Sequence, residues 1–176
     1  MNVQPYWCRA MQLTTFTDYG LRCLMYLAAR PGRLASVKEI AAYYAISRHH
    51  LVKVVYRLVQ LGYVESSKGK GGGIKLAKHP ETIRLGDIIE QLEPHMETVE
   101  CFNPNTNGCR ISDACQLRSY LFEAGRSFLD TLNQYTLADT VSSQALLQLF
   151  SPTKRCRSAA VQRQGTRWSQ HTASSW

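Results

Sequence analysis

The stretch Ser36–Gly62, SVKEIAAYYAISRHHLVKVVYRLVQLG, decides the fold. Ser36-Val37-Lys38-Glu39 has the form of a capping box, in which a hydroxyl and a carboxylate satisfy the free amides of a new helix. A short helix over about 37–44 follows. After Ala45-Ile46, Ser47 is a second N-cap, and Leu51, Val54, Val55, Leu58 and Leu61 recur on one face of a longer helix that Gly62 ends. Two helices joined by so short a turn form a helix-turn-helix.

Outward from it, Phe16, Tyr19, Cys23, Tyr26 and Leu27 form the apolar stripe of an earlier helix over 16–29, broken by Arg30-Pro31-Gly32. On the other side, residues 63–67 and 74–77 alternate like strands around Lys68-Gly69-Lys70-Gly71-Gly72-Gly73, a hairpin with a basic tip. That hairpin is a wing. Its glycines do not make a nucleotide phosphate loop, because the run leads into a strand and lacks the G-K-[ST] ending that enters a helix. Residues 82–92 form a small helix stopped by Pro94, and 97–114 a loop. Leu117, Leu121, Ala124, Phe128, Leu132 and Tyr135 then make a long apolar seam with little of its own domain to pack against, which favours a second copy. The expected fold is mostly α with a small β-wing: a winged helix-turn-helix plus a long dimerisation helix.

The chain has 176 residues, enough for one ordinary domain with appendages, and its net charge of +8 is unevenly spread. Counted from the sequence, residues 11–84 carry +8, 85–150 carry −6 and 151–176 carry +5 with no acid. The expected units are therefore an extension at 1–10, a DNA-binding domain at 11–84, a cysteine loop and dimerisation helix at 85–150, and a disordered basic tail at 151–176. A positive module beside a negative one suits a polyanion reader joined to a sensing element. No apolar run is long enough for a bilayer span and no signal peptide stands at 1–10, so the expected location is the cytoplasm, with no membrane partner.

In a helix-turn-helix the start of the second helix meets base edges in the major groove. Ser47, Arg48, His49, His50 and Lys53 occupy that surface; Arg48 and His49 are the expected base contacts, and Lys53 and Arg57 the phosphate contacts. Lys68, Lys70 and Lys75 on the wing are placed for the minor groove or backbone. His49, His50, His79 and His95 form no triad or metalloprotease motif, and no carboxylate pair stands out, so an enzyme is not expected.

Cys101, Cys109 and Cys115 are separated by seven and five residues. Zinc sites usually use pairs two to four apart, whereas wider loops can wrap a multi-iron cluster. The spacing leaves three readings open: such a cluster, zinc, or three loop thiols without metal. Cys23 lies on the apolar stripe and is expected in the core.

Together, Met11-Gln12-Leu13-Thr14-Thr15-Phe16-Thr17-Asp18-Tyr19-Gly20-Leu21-Arg22, the wing Gly69–Ile74, Gly86-Asp87-Ile88-Ile89, the three cysteines and Tyr135-Thr136-Leu137-Ala138-Asp139 resemble the iron-sulfur winged-helix transcription regulators of the NsrR and IscR type, with the nitric-oxide-sensitive repressors the nearer branch. The match covers about 11–141. The resemblance implies a homodimer on a palindromic double-stranded DNA operator. It also implies one iron-sulfur cluster per subunit, [4Fe-4S] or alternatively [2Fe-2S], held by Cys101, Cys109 and Cys115. Nitric oxide would then lift repression of detoxification genes. The IscR type carries a histidine three residues after the last cysteine, where this chain has Arg118; in the nitric-oxide branch an aspartate from the other subunit can complete the cluster, and Asp18 matches it, with Arg22 beside it. The first cysteine gap is seven where five is common in the family. A redox- or iron-responsive regulator of the same type is the second reading, and an iron-sulfur electron carrier a third.

Overall fold

The computed structural model describes residues 12–69, 71–94 and 96–150. Its helices are α1 (Thr15–Ala28), α2 (Val37–Tyr43), α3 (Arg48–Gln60), α4 (Leu85–Leu92), α5 (Gln116–Leu132) and α6 (Gln144–Phe150), and its strands β1 (Val64–Ser67) and β2 (Gly73–Leu76). This is the winged helix-turn-helix expected, followed by a long helix. The extension 1–10, Lys70, His95 and the tail 151–176 lie outside the described residues.

Local chemistry sets the helix ends. Ser36 Oγ accepts from the Glu39 amide at 3.1 Å, a cap worth about 1 kcal/mol. Only half of the expected box is used in that way, because the Glu39 carboxylate turns to Tyr26 Oη (2.7 Å) and Arg33 (3.0 Å), tying α2 to α1. Ser47 stands at the N-cap of α3, yet its side chain makes no capping bond, which corrects the expectation. The turn between α2 and α3 passes through Ala45 at φ 53°, held by the Ile46 amide on the Ala41 carbonyl at 3.0 Å. A left-handed alanine costs roughly 1–2 kcal/mol, so the surrounding packing imposes this turn. Gly62 at φ 72° ends α3: its amide meets Val59 O and that of Tyr63 meets Leu58 O, both at 3.0 Å, the double closure of a Schellman cap.

The hairpin is antiparallel, with Val64 opposite Leu76 and Ser67 opposite Gly73. Ala35 and Ile74 exchange backbone bonds of 2.8 and 2.9 Å, adding a bridge that fastens the wing to the start of α2. A Cβ at Gly73 would lie 2.8 Å from Ala35 O, so only glycine permits this approach.

Leu51, Val54, Val55 and Leu58 are buried as the α3 pattern predicts, around Cys23, Leu24 and Leu27 of α1. Phe16, Tyr19 and Leu61, also expected inward, are half-buried at the margin. The residue-84 division marks a change of charge, and packing crosses it: Ile88, Leu92, Leu137, Val141 and Phe150 join the same core.

Three elements differ from expectation. Residues 82–84 are not the start of α4: Pro80–Thr82 is a 3-10 turn and Arg84 bridges Thr136, because Asn133 Oδ1 accepts from Asp87 N at 3.0 Å and fixes the helix start later. Tyr135 lies past the end of α5, at a turn. Helix α6 was missed, since seven residues are too few for a periodic signal.

Candidate nucleic-acid interface and cysteine loop

Ser47, Arg48, His49, His50 and Lys53 are all exposed at the first turns of α3. The residues that would have turned them inward, Leu51 and Val54, are the ones the core takes. No acid occurs between Glu39 and Glu65, so this face is uniformly basic or neutral. The His49 and His50 rings lie 6.5 Å apart and tilted, both free to reach outward. Val52 and Tyr56 were not foreseen here; they are 47% and 66% exposed and follow His49 and Lys53 along the same face. Their positions fall off the 51/54/55/58 stripe, a signal the sequence did carry. An exposed apolar side chain on such a helix suits a thymine methyl, and a phenol suits a phosphate.

Arg57 is turned elsewhere. Its Nη2 donates to Gln91 O at 3.5 Å, at the last turn of α4. On the wing, Lys75 pairs across the strands with Glu65 at 3.3 Å, while Lys68 is exposed; Lys70 lies outside the described residues. Gly69 and Gly71 take φ of 105° and 86°, and the Gly72 amide closes on Gly69 O at 2.9 Å, which folds the tip tightly.

The cysteine loop is held by its own polar side chains. Cys101 sits in the 3-10 turn Glu100–Phe102, and Cys115 is the residue preceding α5. Between them Glu100 Oε1 accepts from Gly108 N at 3.2 Å, Asn107 Oδ1 from Cys109 N at 3.0 Å, and Asn107 donates to Ser112 Oγ at 3.1 Å. Cys101, Cys109 and Cys115 are all free thiols, Cys109 exposed and the other two half-buried. Beside Cys115 opens a cleft of about 1050 Å³, lined among others by Met96, Phe102, Arg118 and Phe122. Three unpaired, solvent-reachable sulfurs on one loop are a donor set that fits iron chemically. Among the described residues no group of three His, Cys, Asp or Glu side chains is drawn together around a single point, so one chain alone leaves the set open.

Asp18, in the first turn of α1, is bound to Arg22 one turn on, with Nη2 to Oδ2 at 2.9 Å and Nε to Oδ1 at 3.0 Å. The Arg22 guanidinium also lies 5.9 Å from the Tyr44 ring at the end of α2. Cys23, by contrast, is wholly buried, and burial pushes its thiol up to about 12; it is a core residue.

Helix α5 has no buried residue. Leu117 is 61% and Phe122 56% exposed. An apolar groove of about 420 Å³ runs beside its C-terminal half, lined by Leu21, Met25, Ile89, Phe128 and Leu132. Among the described residues no helix is long and apolar enough to cross a membrane.

Residues 13–143 match the family model described as Rrf2, iron-dependent transcriptional regulator. The chain is 49% identical over 144 residues to the HTH-type transcriptional regulator NsrR of Halalkalibacterium halodurans, covering 79% of this chain and 99% of that one. To the protein of the same name in Bacillus subtilis it is 50% identical over 135 residues, covering 76% and 92%. Among solved structures it is similar to CymR, the global cysteine regulator of B. subtilis, at 30% identity and TM-score 0.57, covering 76% of this chain and 98% of that one. It is also similar to IscR of T. potens, at 26% identity and TM-score 0.60, covering 77% and 89%.

Proposed function

This chain belongs to the Rrf2 family and is a DNA-binding transcriptional repressor, not an enzyme, and from that premise we propose that nitric oxide releases it from its operator through an iron-sulfur cluster held by Cys101, Cys109 and Cys115. The observation that carries the reading is the set of three free thiols on a loop leading directly into α5, a helix with no buried residue. An iron-sulfur cluster, when bound, supplies a cross-link that small reactive gases can take apart.

The chain's own residues do the rest. Thiolates at 101, 109 and 115 would gather a loop now held by Glu100 and Asn107, and Cys115 would carry that change to the first turn of α5. The α5 seam pairs with the same seam in a second copy, since a face of Leu117, Leu121 and Phe128 left in water is costly by about 25 cal/mol per Å². A dimer sets the distance between two α3 helices, and half-sites about 34 Å apart tolerate little error. On each half-site Arg48 and His49 address base edges, while Lys53 with Lys68, Lys70 and Lys75 on the wing address phosphate or the minor groove; Arg57 joins them only by giving up Gln91 O, and Lys75 only by giving up Glu65. Asp18 of the second copy is the fourth ligand in this reading, which requires it to leave Arg22. A palindromic operator and a location in the cytoplasm follow from the same reading.

Anaerobic purification followed by visible spectra and operator binding, before and after stoichiometric nitric oxide, tests it. Coloured, iron-bearing protein that lets go of DNA on nitric oxide is expected. Colourless, iron-poor protein that still answers the gas would overturn the cluster assignment, and release by peroxide or chelation but not by nitric oxide would favour the redox- or iron-responsive reading.

A further inference from the structure

Helix α2 has little core of its own to hold its angle. Of its seven residues only Ile40 and Ala41 are buried, and Tyr43, its last, is met instead by the end of α6. Phe150, 4% exposed, stacks on the Tyr43 ring with centroids 5.3 Å apart and meets Tyr26 of α1 edge-on at 5.9 Å. The Arg30 guanidinium lies over the Tyr26 ring at 3.8 Å, 5.6 Å from the Phe150 centroid and 5.8 Å from that of Tyr43, and its Nη2 donates to the Phe150 carbonyl. Its Nε and Nη1 are buried with no hydrogen-bond partner among the described residues, so three rings and one carbonyl hold the cation. Tyr43 Oη donates to Leu149 O at 3.1 Å. The loop after α1, the end of α2 and the end of α6 thus close on one guanidinium.

A fixed path joins that clasp to α5. Asp139 Oδ2 accepts from Thr136 N and Oγ1 at 2.7 and 2.8 Å, which closes the turn beyond α5. Leu137 N then donates to Ile83 O at 2.8 Å and Ala138 N to Pro80 O at 3.2 Å, and the Leu137 and Val141 side chains enter the core. Seven residues are too few to stay helical alone, so α6 takes its order from this path and from the clasp. On the other side, α2 passes to α3 through residues 44–47, with Ala45 held left-handed at φ 53°. So tight a turn leaves no slack, and the angle of α2 sets where Arg48 and His49 stand. Arg30 itself has nothing to offer phosphate, because its three nitrogens are buried or engaged.

We propose that Arg30 is a positioning residue for DNA reading: by clamping Phe150 against Tyr26 and Tyr43 it locks α2, and through it α3, to the chain that follows α5. This rests on the DNA-binding reading above and adds to it a residue that governs base recognition without touching DNA. The competing role is that of a staple, which adds stability and leaves recognition alone.

The experiment compares the full chain with Arg30→Gln, Arg30→Lys and Phe150→Leu, all purified anaerobically, at a temperature where circular dichroism shows each folded. Affinity is measured for a duplex that the parent selects from a random-sequence pool and for a nonspecific duplex of the same length. Arg30→Gln is expected to lose about tenfold on the selected duplex, the worth of roughly one base contact, and to stay within about twofold on the nonspecific one. Arg30→Lys keeps a cation over the rings and recovers much of the loss. Phe150→Leu keeps apolar volume, folds even where Arg30→Gln fails to, and shows the same selective loss. Visible spectra and sedimentation are expected unchanged, since Arg30 lies outside the cysteine loop and α5. Variants that are less stable yet bind both duplexes like the parent overturn the proposal in favour of the staple. Equal losses on both duplexes, or losses that follow a bleached spectrum or an altered sedimentation, overturn it as well. A parent without colour or nitric-oxide response defeats the cluster reading alone and leaves this comparison intact.

Discussion

Asp18 and Arg22 hold one another through two bonds, 2.9 and 3.0 Å, on the outer face of α1, each side chain a little over 40% exposed. A surface pair of this kind contributes little to stability, typically 0.2–1 kcal/mol. Replacing Asp18 with Ala should therefore leave urea unfolding within about 1 kcal/mol of the parent and change cluster lifetime or gas response. Indifference in both functional readouts removes Asp18 from the ligand set.

Cys109 is exposed and packs in no core. Cys109→Ala should abolish the visible absorption of anaerobic protein with a thermal midpoint shifted by no more than a few degrees. Retained colour would show that the iron is held by other residues.

Leu117 and Leu121 lie on α5 with no buried neighbour along the helix. The double change to Asp should leave helical circular dichroism intact and convert a dimer to a monomer in sedimentation, weakening operator binding at least tenfold. A variant that still dimerises would place the interface elsewhere.

Gly86 sits where α4 meets the end of α5: a Cβ there would lie 2.5 Å from Asn133 Oδ1 and 2.6 Å from the Leu129 carbonyl. Backbone cannot yield as a flexible side chain can, and Asn133 Oδ1 is also the acceptor for the Asp87 amide in the first turn of α4. Gly86→Ala should cost about 1–3 kcal/mol in denaturant unfolding, against the gain of up to about 1 kcal/mol that alanine brings to an open helix position.

Stability should fall at high pH. Burial pushes Cys23 from 9.0 to about 12, and burial with the Glu39 bond pushes Tyr26 from 10.0 to about 12. Raised values mean the folded state keeps protons the unfolded chain has lost, so the contribution is complete below pH 9 and declines as pH rises toward 12. Each group adds a slope of about 1.4 kcal/mol per pH unit within its window. Cys23→Ala should delay the onset from near pH 9 to near pH 10 in unfolding curves measured across that range.

Much of the candidate site was legible because it is local. The capping serine, the α3 stripe and the glycine tip each depend on residues within a few positions, and the exposed face of α3 follows from its buried one. The partners of Arg57 and Lys75 were not, since Gln91 and Glu65 reach them only through the folded chain. Val52 and Tyr56 are harder to read, because apolar character suggests the core until helical phase is taken into account.

By itself the sequence determined the two helices, the wing and the three thiols on one loop, because period, cap and spacing act over a turn or two. Only the tertiary structure decided that Ala45 takes a left-handed turn, that Glu39 bonds Tyr26, and that Phe150 closes on Arg30 and Tyr43. Those depend on residues up to 120 positions apart meeting in one core, and no local pattern encodes which ring a guanidinium will find.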